Sequence, residues 1–89
     1  MKSFHLQIAA PDGMRYDGTA YQLSVRGIGG ELAILAGHIP FVTALQSGEC
    51  RVYIDENGSI RRGTCSGGML MVSKDHVRLM SSDFAWKEE

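Results

Sequence analysis

The stretch CRVYIDENGSIRRGT, residues 50–64, carries the clearest fold signal of the chain. Apolar and polar residues alternate from residue 50 to residue 54, which is the period of two of a β-strand with one buried face. The Asn57-Gly58 dipeptide that follows is the strongest short-range signal for a turn between antiparallel strands. We therefore predict a β-hairpin, in which residues 59–64 return antiparallel to the first strand.

The same alternation extends over much of the remaining chain, at residues 4–10, 21–26 and 76–80. Turn signals lie at residues 11–13, 17–18, 27–30, 36–40, 46–48 and 74–75. They recur about every 8–12 residues, which is the spacing of an all-β sandwich or barrel. No segment shows sustained helical periodicity, so the sequence predicts one antiparallel β-sandwich.

The segment of residues 69–72 differs from the other predicted strands because both of its faces are apolar. Two interpretations are open. The segment is a central strand that is buried on both sides, or one of its faces is a surface for a partner. Exposed apolar patches of more than a few hundred Å² are typically interfaces.

Composition and charge exclude several classes of function. The 89 residues carry a net charge of -1 at pH 7, so the chain has none of the basic surplus that is typical of a nucleic-acid binder. The longest apolar runs, residues 32–36 and 69–72, are far shorter than the roughly 20 residues of a membrane-spanning helix. The N-terminus shows no signal-peptide pattern. We expect a cytosolic chain with free thiols and no direct membrane insertion.

No arrangement of side chains predicts catalysis, a metal or a cofactor. His5, His38 and His76 are scattered singly, whereas a zinc site needs about four ligands at close spacings. We expect Cys50 to be buried and inert, and Cys65, beside a glycine-rich segment, to be exposed. No small-molecule substrate is predicted either. The residues by themselves favour a binding or assembly module over an enzyme.

The stretch GELAILAGHIP, residues 30–40, followed by Thr43-Ala44-Leu45, is the most specific motif of the chain. It closely resembles the signature of the epsilon subunit of F-type ATP synthases. Further segments match the same family in the same order, at residues 4–6, 16–18, 24–27, 48–52, 66–72 and 77–79. The resemblance thus covers nearly the whole chain, and several ordered matches are far more specific than one short motif.

The resemblance implies both a fold and a role. The implied fold is all-β, a flattened antiparallel β-sandwich of about ten short strands over residues 1–82, with a short tail over residues 83–89. The implied role is that of a rotor subunit, which binds the gamma subunit of the central stalk and the polar loops of the c-ring. Such a subunit couples proton or sodium flow to ATP synthesis, performs no chemistry itself, and lies peripherally on the cytoplasmic side of the bacterial cell membrane.

Contact residues follow from the resemblance by position. The segment implied to contact the c-ring comprises Gly27, Ile28, Gly29, Gly30, Glu31 and Leu32. Within it, Glu31 is the expected charged contact, and Gly30 is expected to need a positive φ. The residues implied to contact the gamma subunit, some by position and some by their place in an apolar strand, are Ala10, His38, Thr43, Met69 and Met71.

The chain also departs from the family pattern. Ile28-Gly29 replaces a polar residue and a glutamate, so this loop has one acidic group fewer. The family usually continues as a C-terminal helical hairpin that restrains ATP hydrolysis, and the few residues after residue 83 are too short to form it. The chain is either a naturally short subunit, which we favour, or a truncated one, and in both cases we expect no self-inhibition through this hairpin. The alternative to a rotor subunit is a stand-alone β-sandwich module that binds a peptide or a sugar.

Overall fold

The computed structural model describes residues 2–87, and these form eight β-strands. The strands are Phe4–Ala10 (β1), Gly13–Ala20 (β2), Gln22–Gly27 (β3), Gly30–Leu35 (β4), Phe41–Tyr53 (β5), Ile60–Val72 (β6), His76–Ser81 (β7) and Phe84–Trp86 (β8). Met1 of the predicted domain, and Glu88 and Glu89 of the predicted tail, lie outside the described residues. The expected all-β fold is confirmed.

The strands form one continuous sheet that folds over on itself like a sandwich. Its order is β2-β1-β7-β6-β5-β3-β4, and β8 pairs with the first part of β6. Within the described part of the chain, β1 and β7 run parallel, and the other pairs are antiparallel. The expected antiparallel sheet therefore contains one parallel pair, where the long connection between β1 and β7 brings them together in the same direction.

Residues 2–87 contain eight strands rather than about ten because β5 and β6 are long. Each spans 13 residues, and they pair in one register from Phe41 opposite Val72 to Tyr53 opposite Ile60. The predicted hairpin is therefore confirmed, whereas the turn predicted at residues 46–48 is wrong. A local turn preference yields to the cross-strand ladder, because strand formation depends strongly on its neighbours.

Gly67 and Gly68 mark the point where β6 changes its second partner from β8 to β7. Both have a positive φ, of 91° and 139°. A Cβ atom on Gly68 would overlap the carbonyl oxygen of Met80 in β7. Only glycine therefore lets β6 and β7 approach this closely.

The core lies between the two layers and receives side chains from all eight strands. Its buried members are Phe4, Leu6, Ile8, Ala20, Leu23, Val25, Ile34, Leu45, Cys50, Val52, Cys65, Leu70, Val72, Val77, Leu79 and Phe84. Of the segment 69–72, Leu70 and Val72 are in the core, whereas Met69 remains 44% exposed. Only one face of this segment is buried, so it is not a strand covered on both sides.

The two cysteines are both buried, which confirms the prediction for Cys50 and makes the prediction for Cys65 wrong. Cys65 lies opposite Gly48 of β5 and Phe84 of β8, so strands flank it on both sides. Its Sγ atom lies 3.4 Å from the Ser81 hydroxyl. Burial raises the pKa of the Cys50 thiol to about 12.

Residues 84–86, which show no clear period in the sequence, form β8 and are tied to β2. The Arg15 Nε atom donates to the Phe84 carbonyl at 3.0 Å, and the Trp86 indole donates to the Arg15 carbonyl at 2.9 Å. The Arg61 guanidinium stacks on Trp86, 4.0 Å from the ring centre. The ladder between β8 and β6 has three residue pairs, so these side-chain contacts add to what holds β8 in place.

Candidate interaction surface

An apolar row crosses the outer face of five strands and ends in the turn between β3 and β4. Direct partners in neighbouring strands point to the same side of a sheet. In order from β2 to the turn after β3, this apolar row comprises Met14, Ala9, Met80, Met69, Ala44 and Ile28. Adjacent strands lie about 4.8 Å apart, so the apolar row is about 24 Å long.

A β-bulge in β2 places Met14 at the first end of the apolar row. Tyr16 pairs with Ile8, whereas Met14 already pairs with Ala9, so Arg15 is one extra residue in β2. A bulge of this kind redirects the side chain of the extra residue. Arg15 makes its hydrogen bond to β8, and Met14 remains on the outer face.

Backbone pairing at the end of β3 places Ile28 at the other end of the row. Gly27 pairs with the buried Leu45 of β5. The Ile28 amide then donates to the Ala44 carbonyl at 3.2 Å, and the Gln46 side chain donates to the Ile28 carbonyl at 3.0 Å. Because successive residues alternate between faces, Ile28 lies on the outer side together with Ala44.

The apolar row is exposed to a degree that is unusual for large apolar side chains. Ile28 is 65% exposed, Met14 51%, Met69 44% and Met80 37%. Beside the row lies an open apolar cleft of about 390 Å³, lined by Ala9, Ala10, Pro11, Gly68, Met69, Met80, Ser81 and Ser82. The row and the cleft together form one apolar surface.

The neighbouring row of the same face is apolar at one end and polar at the other. Val42 of β5, 58% exposed, lies opposite Met71 of β6. Across β7 and β1, the Arg78 Nη2 atom donates to the Gln7 side chain at 3.0 Å. The apolar surface therefore widens on β5 and β6 and has a polar border on β7 and β1, as protein interfaces with an apolar centre and a polar rim do.

A charged network occupies the outer face of the other half of the sheet. The Arg51 guanidinium lies 3.4 Å from a Glu31 carboxylate oxygen and 3.7 Å from one of Glu49. The Lys87 ammonium lies 2.8 Å from the second Glu49 oxygen. Arg26 of β3 is the direct partner of Glu31 and lines the same depression.

The charged network is open to water, which limits what it contributes to stability. The Glu31 side chain is 65% exposed and that of Arg51 34%. Exposed ion pairs contribute about 0–1 kcal/mol. The hydrogen bond from Lys87 nevertheless holds the pKa of the Glu49 carboxyl below its ordinary value. The network can therefore orient charges for a partner without stabilising the fold much.

The structure brings together three of the five residues implied to contact the gamma subunit. Met69 is in the apolar row, Met71 is beside it in β6, and Ala10 lines the same cleft as Met69. They form one surface although they are far apart in sequence.

The other two residues of that set lie elsewhere. Thr43 is the direct partner of the buried Leu70, so its side chain is on the core side of β5. His38 is exposed in the loop between β4 and β5, with its ring centre 5.2 Å from that of Phe41. Neither belongs to the apolar row.

The six residues implied to contact the c-ring form the β3–β4 turn and its flanks, and they do not share one environment. Gly30 has φ +127°, which confirms the expected positive φ. Glu31 belongs to the charged network, whereas Ile28 belongs to the apolar row. Gly27 is buried, Gly29 is exposed at the turn, and Leu32 packs against the core.

Several members of the apolar surface were missed in the sequence, namely Met14, Met80, Ala44, Ala9 and Val42. They belong to four different strands, and the pattern within one strand does not show which outward residues come together. Only the cross-strand register assembles them. Correct pairing of the predicted strands is the signal that could have found them.

Residues 2–87 contain neither a metal-binding cluster nor a membrane-spanning helix. No group of three or more histidine, cysteine, aspartate or glutamate side chains is arranged to hold a metal ion. None of the described residues belongs to a helix that is long and apolar enough to cross a membrane.

Comparison with known proteins identifies related sequences. Residues 3–87 match the family model of the ATP synthase delta/epsilon chain β-sandwich domain. The chain is 38% identical over 81 residues to the ATP synthase epsilon chain of Bacillus subtilis, covering 91% of this chain and 60% of that one. It is 34% identical over 89 residues to that of Caldicellulosiruptor saccharolyticus, covering 100% and 64%. The chain thus spans less than two thirds of the length of these relatives.

A solved structure shares the fold. A chain in the mitochondrial ATP synthase of Euglena gracilis, in an assembly of OSCP, F1 and c-ring, superposes with a TM-score of 0.88 at 23% identity. The match covers 94% of this chain and 53% of the other.

Proposed function

Because the chain belongs to the ATP synthase delta/epsilon-chain β-sandwich family, we propose that it acts as the rotor subunit of an F-type ATP synthase. In this role it joins the gamma subunit of the central stalk to the polar loops of the c-ring. It couples proton or sodium flow through the ring to ATP synthesis and performs no chemistry of its own. Its place is peripheral, on the cytoplasmic side of the bacterial cell membrane.

The apolar row is the observation that carries this proposal. Its large side chains are 37% to 65% exposed, although burying them would be favourable by about 25 cal/mol per Å². A stable interface buries about 800 Å² on each partner. The apolar row, the cleft and Val42 with Met71 supply an apolar centre for such an interface, and we assign this surface to the gamma subunit.

The charged network supports a different kind of contact, which we assign to the c-ring. Glu31 lies at the β3–β4 turn with its carboxylate exposed, so it can meet a basic group of a ring loop. An exposed ion pair contributes about 0–1 kcal/mol, so this contact sets register more than affinity. Thr43 and His38 contribute to the gamma contact only where the partner extends beyond the apolar row.

The experiment that tests the proposal is binding to the gamma subunit of the same organism. Purified chain and gamma are mixed, separated by size-exclusion chromatography, and weighed by light scattering. We expect a one-to-one complex. Failure to form one at about 50 µM, which corresponds to about 6 kcal/mol of binding free energy, would contradict the assigned joint.

A further inference from the structure

The exposed sulfur-containing residues of the described chain are methionines rather than cysteines. Cys50 and Cys65 are buried. Met69 and Met80 are 44% and 37% exposed and are direct partners across β6 and β7. Both line the open apolar cleft, which a small oxidant can enter. Two thioethers therefore lie side by side at the centre of the apolar row.

We propose that Met69 and Met80 form a modification site for hydroperoxides, and that their sulfoxides prevent the apolar row from docking on its partner. The second half of this inference rests on the proposed function. The first half concerns the free chain alone. A partner that covers the row would shield both thioethers, so the modification acts on the subunit before assembly.

The reaction is a two-electron oxygen transfer. A lone pair of the thioether sulfur attacks one peroxide oxygen, the sulfur–oxygen bond forms, and the oxygen–oxygen bond breaks. The leaving hydroxide, or the alkoxide of an organic hydroperoxide, takes up the proton of the transferred oxygen and departs as water or as an alcohol. The sulfur is oxidised and the peroxide reduced, and the product is methionine sulfoxide, which is polar.

The thiols are poor competitors for the same oxidant. The thiolate is the reactive form of cysteine, and burial raises the pKa of the Cys50 thiol to about 12. The Cys65 thiol is enclosed, and the Ser81 hydroxyl and the Gly67 carbonyl, both 3.4 Å from its Sγ atom, are the acceptors in reach of its single proton. Both cysteines should therefore stay reduced while the methionines react.

Sulfoxide formation at the centre of the apolar row would weaken docking because it adds a polar oxygen to an apolar contact. An interface that buries a polar oxygen without a hydrogen-bond partner loses about 1–3 kcal/mol, which corresponds to a loss of affinity of about 5- to 160-fold for each buried sulfoxide. A polar rim residue could tolerate the change, but Met80 and Met69 occupy the third and fourth of six positions in the row.

The first test maps oxidation by peptide mass spectrometry after limited treatment of the purified chain with hydrogen peroxide. We expect Met69 and Met80 each to gain one oxygen while Cys50 and Cys65 remain unmodified. Met14, which is 51% exposed and lies outside the cleft, is the internal reference. Complete conversion of Met14 with Met69 and Met80 still reduced would overturn the modification site.

The second test separates modification from docking. Retention on a hydrophobic-interaction column should fall after peroxide treatment, and binding to the gamma subunit should weaken by about tenfold or more. The double variant Met69→Leu, Met80→Leu should have the same affinity for gamma before and after peroxide treatment, whatever that affinity is, whereas Met14→Leu should keep the peroxide response. Oxidised chain that binds as tightly as untreated chain would overturn the second half. If untreated chain does not bind gamma at all, the proposed function fails, while mapping and retention still decide the modification site.

Discussion

The two outer surfaces of this sheet differ although the same two long strands contribute to both. On β5, Ala44 belongs to the apolar row and Arg51 to the charged network. On β6, Met69 belongs to the row and Arg62 lies opposite Arg51. One half of each strand thus offers surface that gains free energy when it leaves water, and the other half offers charges that lose hydration when they are buried.

The two surfaces therefore suit two different kinds of contact within one small domain. The apolar row suits a joint that stays closed, because burial of apolar area supplies affinity. The charged network suits a contact that sets position, because exposed ion pairs supply little affinity and are weakened by salt. Gly67 and Gly68 lie between the two halves of β6 and separate these surfaces along the strand. Side chains of one surface can therefore be substituted without contacting the other surface.

The largest effect is expected at Gly68. The variant Gly68→Ala should lower the free energy of unfolding by about 3 kcal/mol or more, because its Cβ would meet the Met80 carbonyl and its φ is positive. Gly29→Ala is the matched control, since nothing lies within 4 Å of a Cβ there. Urea unfolding measures both. Equal stability of the two variants would mean that the β6–β7 approach is not constrained.

A charge placed in the apolar row should abolish the joint while the fold persists. Met69→Glu should weaken gamma binding by about a hundredfold or more, because the interface would bury an unpaired carboxylate. Thr64→Glu is the control, an exposed position on the same strand outside the row. Titration calorimetry measures the affinity. Equal losses for the two variants would show that charge anywhere on β6 opposes binding.

Ile28 tests where the boundary between the surfaces lies. If it acts with the apolar row, Ile28→Ser should weaken gamma binding by about tenfold and leave ion-driven ATP synthesis per assembled enzyme unchanged. Gly29→Ser, its neighbour in the turn, should leave gamma binding unchanged. A defect in coupling with normal gamma binding would instead assign Ile28 to the c-ring contact.

Glu31 tests the charged network. Glu31→Lys should reduce ion-driven ATP synthesis in membrane vesicles by up to about fivefold, which corresponds to the loss of one exposed ion pair. The free energy of unfolding should change by less than about 1 kcal/mol. Glu31→Gln, which removes the charge but keeps the shape, should have an intermediate effect. Unchanged synthesis by the lysine variant would refute the role assigned to Glu31.

The smallest effect concerns the pH response of Glu49. Its folded pKa lies below the ordinary value of 4.5, chiefly because of the hydrogen bond from Lys87. Any stability from this carboxylate is therefore present above pH 4.5 and is lost as the pH falls through the lowered pKa. Lys87→Met should move the pKa back toward 4.5 in an NMR titration. An unchanged pKa would assign the shift to the neighbouring arginines.

The all-β fold and the hairpin could be predicted because their signals are local. Alternation and an Asn-Gly turn act over a few residues, and Gly58 indeed has φ +87°. The predicted turn at residues 17–18 failed, as did that at residues 46–48, because both segments are held in strands by their partners. The place of Phe84 in the core depends on β2 and β6 and left no mark in its own segment.

The candidate surface could be predicted only in part for the same reason. Met69 and Met71 could be suspected because their segment is apolar on both faces. Met14 enters the row through the bulge at Arg15, which no pattern in β2 reveals. Ile28 could not be separated from the charged turn, because its direction depends on the hydrogen bond to Ala44.

The most direct test of the central claim is an NMR spectrum of the chain with ¹³C-labelled methionine methyl groups and ¹⁵N-labelled arginine, recorded while the gamma subunit is added. If the apolar row is the joint, the methyl signals of Met69 and Met80 should shift first and most, and the guanidinium signals of Arg26 and Arg51 should stay in place. Arginine signals that shift while the methionine signals do not would contradict the account.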